Sequence, residues 1–375
     1  MTADSRSAPI RVGVIGGGLV SQVVHLPILK SLGEQFDVVA LAEPNRELAI
    51  ELAQRFDVPQ VRERWTDLVE SDGVDAIIIA APNALHAPIV LTALEAGIHC
   101  FVEKPLCVDP ADGARINAAA ERFGKVVQVG YMKRFDDAAM EMIAALRSDA
   151  AVLLHADALT VDPGLSRYFS VGQLISGIGR PDRSAVEELE RAELEQCEPV
   201  LGSDSTPALR RMYIDIFLGA LVHDVNLLSW IADAASLGAL KPSSASIFRD
   251  VVGAQIHGQF GDSGVPWTAT WALTPELDDF QERIRVVATS RVHELTFDAP
   301  YGSTKRRGTR YDTARGGHRV HVERPDRSFA GELHAFAEAI HGNADAQNTV
   351  TEAQADIELL AELIQLAIQR ESANA

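Results

Sequence analysis

The 375-residue chain predicts an α/β fold in two parts. An N-terminal doubly wound Rossmann domain is expected over residues 1–130. An α+β domain on an open, mostly antiparallel sheet is expected over 131–375. Three observations carry this. Residues 10–130 alternate apolar strand-length runs with helical stretches across short connections, the pattern of a parallel sheet covered on both faces. The first apolar run ends in Gly16-Gly17-Gly18 and passes straight into a helix. Further along, several strand-like runs follow one another without intervening helices.

Taken in order, residues 10–15 read as a buried strand, 21–32 as a helix, 36–42 as a strand and 46–56 as a helix. A short edge strand follows Pro59, then a brief helix at 66–70. Residues 74–80 form a continuous apolar strand, 86–96 a helix, 99–103 a strand, 110–123 a helix and 126–129 the last strand of the series. In the second part, strands are expected at 152–158, 246–248, 253–260, 268–273, 284–288 and 293–297. Residues 329–340 and 351–370 read as helices, the second with a threonine cap and expected to pack back on the first domain. The acidic, weakly patterned stretch 170–209 reads as an insertion or lid, or equally as a solvated surface helix.

Composition narrows the functional classes. The chain is 47% hydrophobic and 23% charged, ordinary for a globular protein, with a formal net charge of −19. That charge repels polyphosphate and argues against a nucleic-acid partner. The apolar run 76–81 is far too short to span a bilayer, and residues 1–9 lack a signal-peptide core, so no membrane role and a cytoplasmic location are expected. Cys100, Cys107 and Cys197 are spread without metal-ligand spacing, which fits a reducing compartment; no metal is expected.

The glycine turn points to a dinucleotide. Gly16 permits the tight turn and Gly18 lets the backbone approach a pyrophosphate, while Ser21 takes the third glycine position. The helix opening at Leu19 and Val20 offers free amides to that anion. Glu43 ends the second strand, where a carboxylate binds both ribose hydroxyls of NAD and repels the 2′-phosphate of NADP. Arg46 argues the other way, since it could reach a phosphate. NAD is the expected cofactor, ahead of NADP.

The turn at 16–21, together with Ala81-Pro82-Asn83-Ala84-Leu85-His86, Ala93-Leu94-Glu95-Ala96-Gly97 and Glu103-Lys104-Pro105, resembles the Gfo/Idh/MocA oxidoreductases. The resemblance is dense over 10–135, thins beyond, and returns at 213–232 and in the C-terminal helices. It implies that Lys104 lies beside the nicotinamide and handles the proton of a substrate hydroxyl. Ala81, Pro82, Asn83, His86, Glu103 and Lys104 then join the cofactor-facing set, although His86 reads better as a cap or packing residue than as a reactive one. The family usually carries Asp-x-x-x-His on one helix, with an acid one turn later. Here the histidine is His223, but the Asp position is Gly219 and the later acid is Asn226. Asn226, three residues on, can share the face of His223 as a hydrogen-bonding partner. Asp224 points about 100° away and cannot simply replace the missing acid; Asp215 is a weaker candidate.

Arg134, in Tyr131-Met132-Lys133-Arg134-Phe135, is open to two readings, substrate contact or interdomain packing. Arg167 and Tyr168 near the insertion are substrate candidates. The basic stretch 305–324, with Arg306, Arg307, Arg310, Arg315 and Arg319, could attract an anion or an acidic patch on another subunit, or be a solvated loop.

The expected activity is NAD(P)-dependent interconversion of a secondary hydroxyl and a ketone on a sugar, polyol or related ring. Lys104 would be the acid/base and His223 would orient the substrate or share the proton. Two alternatives stand beside it. One is a dinucleotide-binding protein without turnover. The other is an enzyme that retains NAD and uses transient oxidation for elimination, epimerisation or glycoside cleavage. By resemblance the open sheet would serve a homodimer or homotetramer.

Overall fold

The computed structural model describes residues 8–148, 151–169, 174–176, 182–248, 252–301, 307–314, 319–325 and 327–374. Six strands, β1 (Ile10–Ile15), β2 (Phe36–Ala42), β3 (Gln60–Arg62), β4 (Ala76–Ile79), β5 (His99–Glu103) and β6 (Val127–Gly130), form one sheet in the order β3-β2-β1-β4-β5-β6. Every pairing is parallel. All four residues of β4, Ala-Ile-Ile-Ile, are buried, as a strand covered on both faces requires. The strand order reverses between β1 and β4, which opens a crevice at their carboxyl ends.

The second sheet contains β7 (Leu153–Asp162), β8 (Leu240–Ile247), β9 (Gly253–Phe260), β10 (Val265–Leu273), β11 (Gln281–Ala288), β12 (Arg291–Phe297), β13 (Arg307–Ala314) and β14 (Arg319–Pro325). Its order is β14-β13-β12-β11-β7-β10-β9-β8. Only β7 and β10 pair in parallel; the other pairings are antiparallel. Alternate residues such as Trp267, Ala269 and Trp271 bury on one face, so the sheet has an inner and an outer side.

β13 and β14 correct one of the three readings of 305–324, that of a solvated loop. The described arginine there, Arg310, is buried and paired with Asp312 on the inner face. Lys305, Arg306 and Arg315 lie outside the described residues, as do the side chains of Arg307 and Arg319.

The inner face is covered by the helical stretch Pro207–Ala234. By length and composition it could cross a membrane, but 67% of its most apolar window is buried within the fold. It is a core helix. Its middle, Met212–Leu221, winds as a π-helix before α-helical geometry resumes at Val222–Ala234. The helix Ser328–Ile340 returns to the first sheet: Leu333, Phe336 and Ala337 share one core with Ile10, Val12, Val14 and Phe101. The helix Val350–Asn374 packs on Pro110–Phe123 and on β8. Its start is a capping box, in which Thr349 N donates to Glu352 Oε2 at 2.8 Å and Glu352 N to Thr349 Oγ1 at 3.4 Å.

Candidate active site

The glycine turn is built for close approach. Gly16 has φ +98°, and a Cβ there would stand 2.3 Å from Ala80 O, so only glycine fits. A Cβ on Gly18 would meet nothing within 4 Å, leaving open space against its backbone. Buried Ser21 donates from Oγ to Gly16 O at 2.6 Å and closes the turn where the fingerprint has its third glycine. Leu19 and Val20 begin the helix, half-buried beside that space. Glu43 accepts from Gly17 N at 2.8 Å and from Asn45 N at 2.9 Å, which fixes its carboxylate beside the turn. Arg46 is exposed at the start of the helix Arg46–Phe56. An open cradle, free helix amides and a held carboxylate fit a dinucleotide.

Across the crevice, the chain leaving β4 passes through Ala81, Pro82 and Asn83. Asn83 Nδ2 donates to Glu193 Oε1 at 2.9 Å. His86 is buried, with Nδ1 2.6 Å from Pro105 O and Nε2 2.9 Å from Ala81 O. Burial holds its pKa below the ordinary value, so the neutral ring donates to one carbonyl at a time. This corrects its place among the cofactor contacts: His86 buckles the β4 loop to the Lys104 loop. Glu103 is engaged by His25 Nε2 at 2.8 Å. Burial pushes its carboxyl up, but His25 and Lys104 outweigh that and leave it below the ordinary range. It too acts from behind the loop.

Lys104, at the end of β5, opens on a cavity of about 150 Å³ between the two sheets. A cavity of this order holds a six-membered ring. Nζ donates to Gly219 O at 2.6 Å. The π-helical stretch thus presents a backbone carbonyl to the lysine at the position where the usual family acid is missing. Burial lowers the Lys104 pKa, Glu103 partly restores it, and nearby Lys133 lowers it further.

His223 lines the same cavity, with its ring 6.4 Å from that of Tyr131 in an edge-on arrangement. The floor is a row across the inner face. Trp271, Thr160, Glu282 and Phe297 are lateral partners on β10, β7, β11 and β12. Of these, Trp271, Thr160 and Glu282 line the cavity, with Lys133, Asp162, Phe280 and Tyr301 beside them.

Sequence reading missed this floor. The signal for Glu282 was present: it holds the inward phase of an alternating strand otherwise filled by Ile284 and Val286. Its partner is Lys133, in a buried ion pair. Asp224, fully buried nearby, has neither carboxylate oxygen hydrogen-bonded among the described residues. Burial raises its pKa to about 7, with Lys133 opposing and Glu282 adding.

Three substrate candidates do not reach the cavity. Asn226 donates from Nδ2 to Asp356 Oδ2 at 2.8 Å. Three residues leave it about 60° short of a full turn from His223, which aims it at the C-terminal helix. Arg134 is buried, bonded to Glu352 at 2.5 Å and Asn226 O at 3.1 Å, and stacked over Trp230, so of its two readings the packing one holds. Arg167 is exposed and donates to Pro275 O at 2.7 Å. Tyr168 ends the short helix Leu165–Tyr168, but its side chain lies outside the described residues.

Residues 10–131 match the model of the Gfo/Idh/MocA oxidoreductase family, NAD-binding Rossmann fold. Over 279 residues the chain is 32% identical to an inositol 2-dehydrogenase of Rubrobacter xylanophilus, covering 71% of this chain and 73% of that protein. The chain belongs to the Gfo/Idh/MocA family. A second Gfo/Idh/MocA relative, the inositol 2-dehydrogenase of Corynebacterium glutamicum, is 31% identical over 172 residues, 45% of this chain and 51% of its own length. Among solved structures, the 3-ketoreductase KijD10 of Actinomadura kijaniata, in complex with NADP and TDP-benzene, matches with a TM-score of 0.71. The match covers 96% of this chain and 98% of that one at 19% identity, which shows a shared Gfo/Idh/MocA fold and no more.

Proposed function

We propose that this chain interconverts a secondary hydroxyl and a ketone on a sugar, polyol or related ring, with NAD as its preferred dinucleotide and Lys104 as the acid/base. One observation carries the reading: a lysine of lowered pKa, bonded to Gly219 O at 2.6 Å, opens on a ring-sized cavity shared with His223. The cavity adjoins the crevice where the strand order reverses. The names of the relatives, inositol 2-dehydrogenase and 3-ketoreductase, support the same class of chemistry.

The dinucleotide supplies or takes up the hydride. As a neutral amine, Lys104 removes the hydroxyl proton during oxidation; as an ammonium, it returns that proton during ketone reduction. Its charge also steadies a developing alkoxide. Gly219 O aims the lysine, and His223 and Thr160 offer hydrogen bonds to ring hydroxyls. Glu43, held by two backbone amides, favours the free ribose hydroxyls of NAD over a 2′-phosphate. A cytoplasmic enzyme fits three buried free cysteines, and a homodimer or homotetramer would cover the outer face of the second sheet.

The test is turnover on a panel of inositols, sugars and ketosugars by wild type and Lys104→Met. Expected is a fall in kcat of about 10³-fold with NADH affinity within about threefold of wild type. Oxidation by wild type should rise with pH through the lysine's lowered pKa, and ketone reduction should fall over the same range. A variant that keeps wild-type turnover would sink the role given to Lys104.

A further inference from the structure

The segment around 183–196 lies outside the 10–131 family match, yet it reaches the nucleotide crevice. The helix Arg183–Glu195 buries no residue of its own. Its glutamates are solvated, with Glu187, Glu188 and Glu195 61%, 74% and 60% exposed, except Glu193 at 13%. Glu193 uses both carboxylate oxygens. Oε1 accepts from Asn83 Nδ2 and Oε2 from Arg211 Nη1, each at 2.9 Å. Asn83 stands at the carboxyl end of β4, on the crevice. Arg211 immediately precedes the π-helical stretch that carries Gly219. One side chain therefore ties the cofactor loop to the helix that meets Lys104.

We propose that Glu193 is a positioning residue of the dinucleotide site. By holding Nδ2, it fixes the rotation of the Asn83 amide and leaves Oδ1 as an acceptor for a hydroxyl or amide donor of the dinucleotide. Without it, that amide would rotate freely, and binding would have to order it. The arrangement also answers an electrostatic objection. A bare carboxylate beside the crevice would repel the pyrophosphate, but Arg211 neutralises it at contact distance. Gln22 makes a similar tie on the opposite bank, accepting from Ile175 N at 2.9 Å. The inference rests on the dinucleotide reading, and its test separates the two.

NADH titration of purified protein, with dinucleotide KM and kcat, decides it. Glu193→Ala should weaken NADH about tenfold, the loss of one well-placed hydrogen bond, with kcat at saturating dinucleotide within about twofold. Asn83→Ala should weaken it similarly, and the double variant no further, because Glu193 acts through Asn83. Glu193→Gln keeps an acceptor oxygen and should recover most of the affinity. Gln196→Ala removes the neighbouring anchor to Ala84 O and should leave binding within about twofold, since it leaves the Asn83 bond in place. The inference is overturned if Glu193→Ala binds as wild type does, if Gln196→Ala weakens binding equally, or if the double-variant losses simply add. Should Glu193→Ala fail to fold, Glu193→Gln and Asn83→Ala carry the same comparison. Wild type that binds neither NADH nor NADPH would overturn the dinucleotide reading and this one with it.

Discussion

At Gly16 the backbone turns at φ +98° against the carbonyl of Ala80, while two residues later Gly18 faces open space. Two glycines of one motif therefore do different work, and substitution should separate them. Gly16→Ala is expected to destabilise the fold by about 1–3 kcal/mol through strain and a backbone clash. Gly18→Ala should melt as wild type does but bind NADH at least about tenfold more weakly, because its methyl fills the room left for a ligand. Thermal melts paired with NADH titration would show it; a Gly18→Ala protein that binds normally would mean the pyrophosphate lies elsewhere. Residues of this kind were legible because their constraints are local. A glycine turn, Glu43 at a strand end and the Glu-Lys-Pro tripeptide each carry their meaning within a few positions. Asn226 and Arg134 were not legible in the same way. What decides their direction, Asp356 and Glu352, lies more than 120 residues further along the chain.

The helix Val350–Asn374 depends on its first turn. Glu352 closes the capping box with Thr349 and also pairs with buried Arg134, which ties the helix to the end of β6. Losing both roles should cost about 2 kcal/mol in urea unfolding for Glu352→Ala. KM for the sugar or polyol should stay within about twofold, since Arg134 packs rather than touches substrate. A large rise in that KM at unchanged stability would return Arg134 to the site. At this scale the first sheet was readable because β4 is wholly apolar and β1 and β2 are mostly so. β13 was not, since Arg-Gly-Thr-Arg-Tyr-Asp-Thr-Ala has no apolar alternation. There the inward phase is occupied by Arg310 and Asp312, which neutralise each other beside His293. The helix Asp137–Ser148, unplaced from sequence, is capped by buried Asp136, whose Oδ1 accepts from Ala138 N at 2.9 Å and Ala139 N at 3.1 Å.

For the molecule as a whole, buried charge sets the limits of stability against pH. Burial lifts Asp224 to about 7 and Asp356 to about 6, against an ordinary carboxylate value of 3.8. The folded state therefore holds these protons more tightly than the unfolded one, and stability drains as pH rises from about 4 towards 7. His86 and His99 act on the acid side. Burial lowers both, so the unfolded chain takes up protons first as pH falls below 6.5. Asp224→Asn removes one alkaline contribution. Its melting temperature should exceed that of wild type most at pH 8, with the gap closing towards pH 4; a constant gap would refute the assignment. The return of the chain to its beginning has another consequence. Phe336 meets Phe101 at 5.9 Å and shares a core with Val12, Val14, Leu26, Leu29 and Leu52, so this face of the first sheet, covered in part by its own early helices, is not closed until residues made some 230 positions after Phe101 are in place. During synthesis, the earliest strands must wait, sticky and half-wrapped, for almost the whole chain to leave the ribosome. Chaperone demand should therefore fall most heavily on the nascent polypeptide rather than on the finished enzyme.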